Sequence, residues 1–208
     1  KNIVEAVKNV SFSVNTGEIL GIVGESGCGK TTIAMSILRL IQPPGKVVSG
    51  KIFLQNQNIL NLDYQNLLAI RWKSLSLIPQ GAMNSLNPVV KVKEQISEVI
   101  KTHTQSNRIS DEMIVDLLGK VDLKKSCLNM YPHELSGGMK QRICIARALI
   151  KNPKILILDD CLSALDNKTE NEILNEIKKA YKSITKIIVS HRVSSIQDCD
   201  NIIVMDNG

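Results

Sequence analysis

The residues with the clearest chemical potential form a glycine-rich run that ends in a lysine and a threonine. This run, Gly24-Glu25-Ser26-Gly27-Cys28-Gly29-Lys30-Thr31, fits the pattern G-x-x-x-x-G-K-S/T. Because its glycines let the backbone curl, successive N–H groups can point inward at phosphate oxygens. Lys30 then reaches the β- and γ-phosphates of a nucleotide, and the hydroxyl of Thr31 binds Mg²⁺. The pattern therefore predicts a phosphate-binding loop, extended by Thr32, rather than a chance glycine-rich turn.

A carboxylate that could complete this site follows an apolar run later in the chain. Asp159 comes directly after Ile155-Leu156-Ile157-Leu158, which is typical of a buried strand. A strand of this kind carries Asp159 to its end, beside the phosphate loop, where a carboxylate can hold Mg²⁺ through water. An apolar run that ends in Asp is a weak signal alone, and the phosphate loop makes it specific.

A second candidate for phosphate binding is Ser136-Gly137-Gly138, at the start of a predicted helix. Exposed N–H groups and a hydroxyl at a helix start can bind an anion. The alternative is an ordinary serine cap followed by two glycines. One chain cannot easily aim this site and the phosphate loop at the same nucleotide.

The elements around these motifs alternate between short apolar strands and helices. Strands are predicted at 10–14, 19–23, 52–54, 75–78, 155–158, 187–189 and 202–205. Helices are predicted at 30–41, 139–150 and about 170–181, and helical periodicity with a start at Ser110 covers 92–121. This alternation implies an α/β fold, a P-loop NTPase core with a mainly parallel sheet and an inserted α-helical subdomain. We expect one domain over 1–208, with the helical part at about 86–130.

Composition narrows the function classes. At 208 residues, with 43% hydrophobic but only 3% aromatic residues, the chain suits one domain with an aliphatic core. Its apolar runs are too short to span a membrane and no signal peptide is recognisable, so any membrane role is expected to come through a partner. The net charge of +6 is scattered, and we expect no nucleic-acid partner.

The cysteines and the chain ends support two further expectations. None of the five cysteines has C-x-x-C spacing, so reduced thiols are expected, and Cys28 is interpreted as a loop filler, with a redox-sensitive thiol as the alternative. The chain begins without Met and stops at the turn signal 206–208, so we expect it to be part of something longer.

In combination, these motifs resemble those of ABC (ATP-binding cassette) ATP-binding domains, over essentially the whole chain. Residues 135–142, Leu-Ser-Gly-Gly-Met-Lys-Gln-Arg, are similar to the family's signature motif. Gln80 matches the Q-loop glutamine, which touches Mg²⁺ or water and senses the membrane partner. Asp166 closes Ser163-Ala164-Leu165-Asp166, which resembles the D-loop at the dimer interface. His191 matches the switch histidine that contacts the γ-phosphate.

The resemblance implies an ATPase that uses ATP and Mg²⁺ and works as a homo- or heterodimer. Two ATP molecules would be sandwiched between one subunit's phosphate loop and the partner's signature motif. Transmembrane permease subunits would be the other partners, which places the chain peripherally at the cytoplasmic face of the cell membrane. The family usually carries Glu where Asp160 stands, as the residue that polarises the attacking water, so hydrolysis is expected to be weakened. Phe12, the first aromatic residue, lies too late to stack on adenine.

Two groups of ABC proteins are similar to different parts of the chain. Residues 78–88 and 131–134 resemble oligopeptide, dipeptide and nickel importer ATPases, whereas the residues from about 156 onward and 190–196 resemble exporters. We favour an importer of peptides or nickel, in which the apolar residues Ala82, Met83 and Leu86 line the permease contact. The alternatives are an exporter domain, a non-transport ABC ATPase acting on DNA or ribosomes, and a regulatory nucleotide-binding subunit with a weak site.

Overall fold

A five-stranded parallel sheet forms the centre of the protein. The computed structural model describes residues 4–71, 73–104 and 109–206, without the side chains of 103 and 104. The sheet strands are β1 (Ile19–Gly24), β4 (Leu75–Ile78), β5 (Ile155–Asp159), β6 (Thr185–Ser190) and β7 (Asn201–Met205), in the order β4-β5-β6-β1-β7. All neighbouring pairs are parallel, so their carboxyl ends meet at one edge. A short antiparallel hairpin joins β2 (Phe53–Leu54) and β3 (Gln57–Asn58).

Helices cover both faces of this sheet. They are α1 (Lys30–Ile37), α2 (Tyr64–Ile70), α3 (Val92–Thr104), α4 (Asp111–Gly119), α5 (Gly137–Leu149) and α6 (Asn167–Ala180). Residues of β5 alternate between two hydrophobic clusters: Leu156 and Leu158 pack with residues of α3 to α6, and Ile157 packs with residues of α1. The predicted α/β architecture with a mainly parallel sheet is confirmed.

Two helices, α3 and α4, lie between residues 86 and 130, where the described residues form no strand. Their apolar residues Ile96, Ile114 and Leu118 are fully buried in the larger cluster. Ser110 begins α4, because its hydroxyl accepts a hydrogen bond from the Met113 amide. The predicted periodicity also ran through 105–108, which lie outside the described residues, as do 207 and 208 of the predicted terminal turn. Within the described ranges, no helix has the length and apolar character needed to cross a bilayer.

Several sequence predictions about local structure are wrong. Residues 10–14 alternate in polarity but pair with no strand within the described part of the chain. The helix that starts at Lys30 ends at Ile37 rather than Ile41, because the chain turns at Arg39, with a φ of 52°, and Arg71 binds the carbonyls of Leu38 and Arg39. The strand predicted at 52–54 shortens to β2, and α2 was not predicted.

The predicted apolar permease contact is also wrong in part. Ala82 and Leu86 are buried in the protein's own core, at 4% and 6% exposure, and Met83 packs against the same cluster. Their hydrophobicity therefore stabilises the fold, and only the partly buried Met83 retains a surface. All five cysteines are free thiols, which agrees with the absence of C-x-x-C spacing.

Candidate active site

The glycine-rich loop connects β1 to α1 at the carboxyl edge of the sheet. Gly27 and Gly29 have φ angles of 88° and 95°, a left-handed conformation that residues with a Cβ rarely adopt. A Cβ on Gly29 would also come within 2.4 Å of the Ala6 carbonyl oxygen. Both the backbone conformation and the close approach of the preceding chain thus require glycine here. The loop has the shape that the sequence pattern predicted.

Lys30 folds back over this loop. Its Nζ donates hydrogen bonds to the carbonyl oxygens of Gly24, at 2.8 Å, and Glu25, at 2.5 Å. The Cys28 sulfur lies 3.5 Å from the same nitrogen and is buried beneath the loop. Lys30 itself is only 8% exposed. The loop therefore concentrates one positive charge at its centre, where an anion bound by the loop amides would meet it.

Thr31 and Asp159 form the second part of the site. The Thr31 hydroxyl donates to Oδ1 of Asp159 at 2.9 Å, and Asp159 is fully buried at the end of β5. Its other oxygen, Oδ2, has no hydrogen-bond partner among the described residues. Loss of solvation raises the pKa of this carboxyl, and the hydrogen bond from Thr31 opposes the rise. A hydroxyl beside an unpartnered carboxylate oxygen is a ligand set that suits Mg²⁺.

Three further predicted residues meet at the carboxyl ends of neighbouring strands. Oδ1 of Asp160 lies 2.9 Å from Nδ1 of His191, and Gln80 Nε2 donates a longer, 3.4 Å bond to Oδ2 of Asp160. Asp160 has a φ of 46°, and its amide donates to the Val189 carbonyl at 2.8 Å. The His191 side chain is half exposed, whereas that of Asp160 is 16% exposed. The sequence motifs indicate each of these three residues separately, but not that they contact one another.

The predicted second phosphate site lies at the start of α5, whereas the phosphate loop leads into α1. Ser136 begins α5 by accepting a hydrogen bond from the Met139 amide at 3.3 Å, and Asp166 begins α6 by accepting from both the amide and the hydroxyl of Thr169. These bonds lower the pKa of Asp166. A Cβ on Gly138 would come within 2.9 Å of Thr169, so the two helix starts lie side by side. Across the described ranges, no hydrogen bond connects residues 136–138 with the phosphate loop.

One residue of the site was missed by sequence reasoning. Arg192 follows His191 directly, and its guanidinium binds carbonyl oxygens of the loop between β5 and α6. The available signal was its place next to the predicted switch histidine.

A parallel sheet with a glycine-rich, lysine-containing loop after its first strand defines a P-loop nucleotide-binding domain. The chain belongs to the ABC transporter family, whose sequence pattern matches residues 7–163. It is 39% identical over 197 residues to the oligopeptide transport ATP-binding protein AppF of Bacillus subtilis, covering 93% of this chain and 59% of AppF. It is 38% identical over 211 residues to OppD of Escherichia coli, covering 99% and 62%. The chain thus spans about three fifths of these relatives.

Solved structures of ABC proteins share the fold. The dimeric structure of MJ0796, described as a bacterial ABC transporter cassette, aligns with a TM-score of 0.81 and 30% identity, covering 98% of this chain and 87% of MJ0796. A bacterial Atm1-family ABC exporter with ATP bound aligns with a TM-score of 0.74 and 31% identity, covering 96% and 34%.

Proposed function

We propose that this chain binds and hydrolyses ATP and thereby powers the import of peptides across a membrane. The observation that carries the proposal is the convergence of Lys30, the Thr31–Asp159 pair and the Asp160–His191 pair at one edge of the sheet. A bound phosphate chain needs a cation, a metal site and a group to orient water. Lys30 would supply the cation, the Thr31–Asp159 pair the metal site, and the Asp160–His191 pair the group that orients water.

Each residue has a distinct task in the proposed reaction. The loop amides and Thr32, at the start of α1, hold the phosphate oxygens, and Lys30 exchanges its carbonyl contacts for contacts to the β- and γ-phosphates. Thr31, Asp159 and Gln80 would hold Mg²⁺, which supplies the charge that neutralises the phosphate oxygens. Asp160 accepts a proton from the attacking water, and His191 orients Asp160 and contacts the γ-phosphate.

The position of Ser136, Gly137 and Gly138 supports a dimer. Because these residues begin a different helix and make no hydrogen bond to the phosphate loop within the described ranges, they would complete the nucleotide site of a second cassette rather than their own. Asp166, which is exposed at the start of the neighbouring helix, would lie at the same interface. MJ0796, an ABC cassette of the same fold, was solved as a dimer. We propose a sandwich of two cassettes with two ATP molecules.

The substrate class rests on the relatives. AppF and OppD are oligopeptide transport ATP-binding proteins, so we propose peptide import with transmembrane permease subunits as partners, at the cytoplasmic face of the membrane. Residues 86–130 would form the helical subdomain that faces the permease, and 1–85 with 130–208 the nucleotide-binding core.

An exporter cassette is the second candidate. The similarity to the Atm1-family exporter and the exporter-like residues 190–196 favour it. Reconstitution separates the two: an importer cassette stimulates peptide uptake with separate permease chains, whereas an exporter cassette supports outward movement only.

Phosphate release from ATP tests the enzymatic part of the proposal. Wild-type protein should require Mg²⁺, and Lys30→Ala should abolish hydrolysis and weaken ATP binding, because it removes the cation at the loop centre. Lys182→Ala is the matched control, since this exposed lysine precedes β6 at the opposite edge of the sheet. Full turnover by Lys30→Ala would refute the phosphate-loop assignment.

A further inference from the structure

Arg192 joins two loops that carry the proposed catalytic pair. Its Nη2 donates to the carbonyl oxygen of Ser163 at 2.8 Å, and its Nη1 donates to that of Leu165 at 3.1 Å. Nη1 also lies 2.8 Å from a carboxylate oxygen of Glu170 and 3.3 Å from the Asn167 side chain. A planar guanidinium is the side chain that can serve several acceptors at fixed angles in this way.

The acceptors of Arg192 lead directly back to Asp160. The hydroxyl of Ser163 donates to the Asp160 carbonyl at 2.8 Å, and the Ser163 amide makes a longer bond to the same oxygen. Asp160 has a left-handed backbone, which is unfavourable for a residue with a Cβ and persists only where surrounding contacts hold it. Ser163, held in turn by Arg192, is one of those contacts.

The other side of Arg192 is anchored in the protein. Glu170 is 2% exposed, and the Ser195 hydroxyl donates to its second carboxylate oxygen. Ser195 also lies 3.2 Å from the Ser190 hydroxyl, which accepts a bond from the Arg192 amide. The segment just after β6 is therefore fixed to the start of α6 through buried contacts.

We infer that Arg192 is a positioning residue for the Asp160–His191 pair, an inference that rests on the proposed ATPase function. The pair forms between two loops, one after β5 and one after β6. Arg192 belongs to the loop after β6, and its side chain binds the loop after β5. Replacing it should let the two loops move relative to one another. Within the described ranges, no hydrogen bond or ion pair joins Arg192 to the phosphate loop, so ATP binding should not depend on it.

Two variants test this inference against simple loss of folding. Arg192→Lys keeps a cation near Glu170 but cannot bind the carbonyls of Ser163 and Leu165 at the same time. The double variant Arg192→Ala/Glu170→Gln removes the contacts of Arg192 with the loop after β5 without leaving a buried carboxylate unpaired. Lys178→Ala is the matched control, since it breaks an ion pair between α6 and Asp198 in the segment that follows β6.

The expected result is a change in kcat without a change in affinity. A displacement near 1 Å can cost about 100-fold in rate, so kcat should fall about tenfold in Arg192→Lys and about 100-fold in the double variant. Affinity for a fluorescent ATP analogue should stay within about twofold of wild type, and Lys178→Ala should match wild type in both. Amide hydrogen exchange in residues 160–166 should be faster than in the wild type in both Arg192 variants, and unchanged in Lys178→Ala.

Three outcomes would overturn the inference: kcat within about twofold of wild type in both variants, an equal loss of affinity and kcat, or unchanged exchange in residues 160–166. The exchange measurement does not need activity. Wild-type protein that fails to hydrolyse ATP would therefore refute the proposed function, while the exchange data would still decide whether Arg192 holds the loop.

Discussion

Asp160→Glu tests how the proposed catalytic carboxylate is placed. The amide of Asp160 is held by the Val189 carbonyl, and its carboxylate lies 2.9 Å from Nδ1 of His191. Because the backbone is held, an extra methylene moves the carboxylate outward by about 1.5 Å, the length of one C–C bond. In the proposed reaction, the longer side chain would bring the carboxylate closer to the water that attacks the γ-phosphate.

The size of the effect follows from the sensitivity of proton transfer to distance. A positioned general base contributes roughly 10²–10⁴-fold, and a misplacement near 1 Å can cost about 100-fold. Asp160 should keep part of this contribution, so kcat should rise about tenfold in Asp160→Glu, equivalent to about 1.4 kcal/mol in the barrier. Affinity for ATP should change little, because the added methylene acts on the water rather than on the bound phosphates.

Steady-state phosphate release over a range of ATP concentrations, with the physiological partner present, measures both parameters. His191→Ala belongs in the same series. If His191 supplies most of the positioning and Asp160 serves as well as Glu, kcat will be unchanged in Asp160→Glu and almost lost in His191→Ala. An Asp160→Glu enzyme no faster than wild type would refute our view of the missing methylene.

Three further predictions concern assembly, stability and thiol chemistry. A non-hydrolysable ATP analogue should raise the dimer fraction seen by light scattering, alone or with a non-identical cassette, and a monomer with every partner would contradict the proposed role of Ser136. Asp159→Asn in EDTA should raise Tm by a few degrees, because it replaces a buried carboxylate charge that has no bound cation with a neutral amide. A relief of about 1–3 kcal/mol, at about 2–4 °C for each kcal/mol, sets the size of the effect. Burial raises the pKa of Asp159 in the folded state, so the stability of the wild-type protein falls as pH rises from the unfolded-state pKa of this carboxyl through its folded-state pKa. The gain in Tm should therefore be larger at pH 7 than at pH 4, and a lower Tm at pH 7 would contradict the prediction. Burial also raises the pKa of Cys199 to about 11, so about one thiol in a thousand is ionised at pH 8 and alkylation should be slow; fast labelling would show the thiol to be accessible.

The sequence predicted best those features that depend on local pattern. The glycine-rich loop, the apolar strand ending in Asp159 and the capped start of α4 each follow from a few neighbouring residues. Residues 10–14 failed because alternation shows a half-buried segment but not whether a partner strand lies beside it. Ala82 and Leu86 were misread because burial inside the chain and burial against a partner select the same apolar residues.

Tertiary contacts account for what was missed within the site. The meeting of Gln80, Asp160 and His191 depends on the order of three strands, which periodicity alone does not give. Arg192 was overlooked because two of its acceptors are backbone carbonyls, which leave no trace in the residue types of a sequence. Its side-chain acceptors, Asn167 and Glu170, are 25 and 22 residues away along the chain.

Burial of β5 on both faces restricts where this protein can move. Leu156, Ile157, Leu158 and Asp159 are each exposed by no more than 1%, and their strand hydrogen-bonds on both sides. Opening β5 requires separation of both hydrophobic clusters, so its amides should exchange only through global unfolding, with the highest free energy of opening in the chain. Asp159, at the end of this strand, should therefore keep its position in the sheet. Motions that accompany the proposed ATP turnover are therefore expected in the loops beyond the strand ends and in the helices that carry residues 136 and 166.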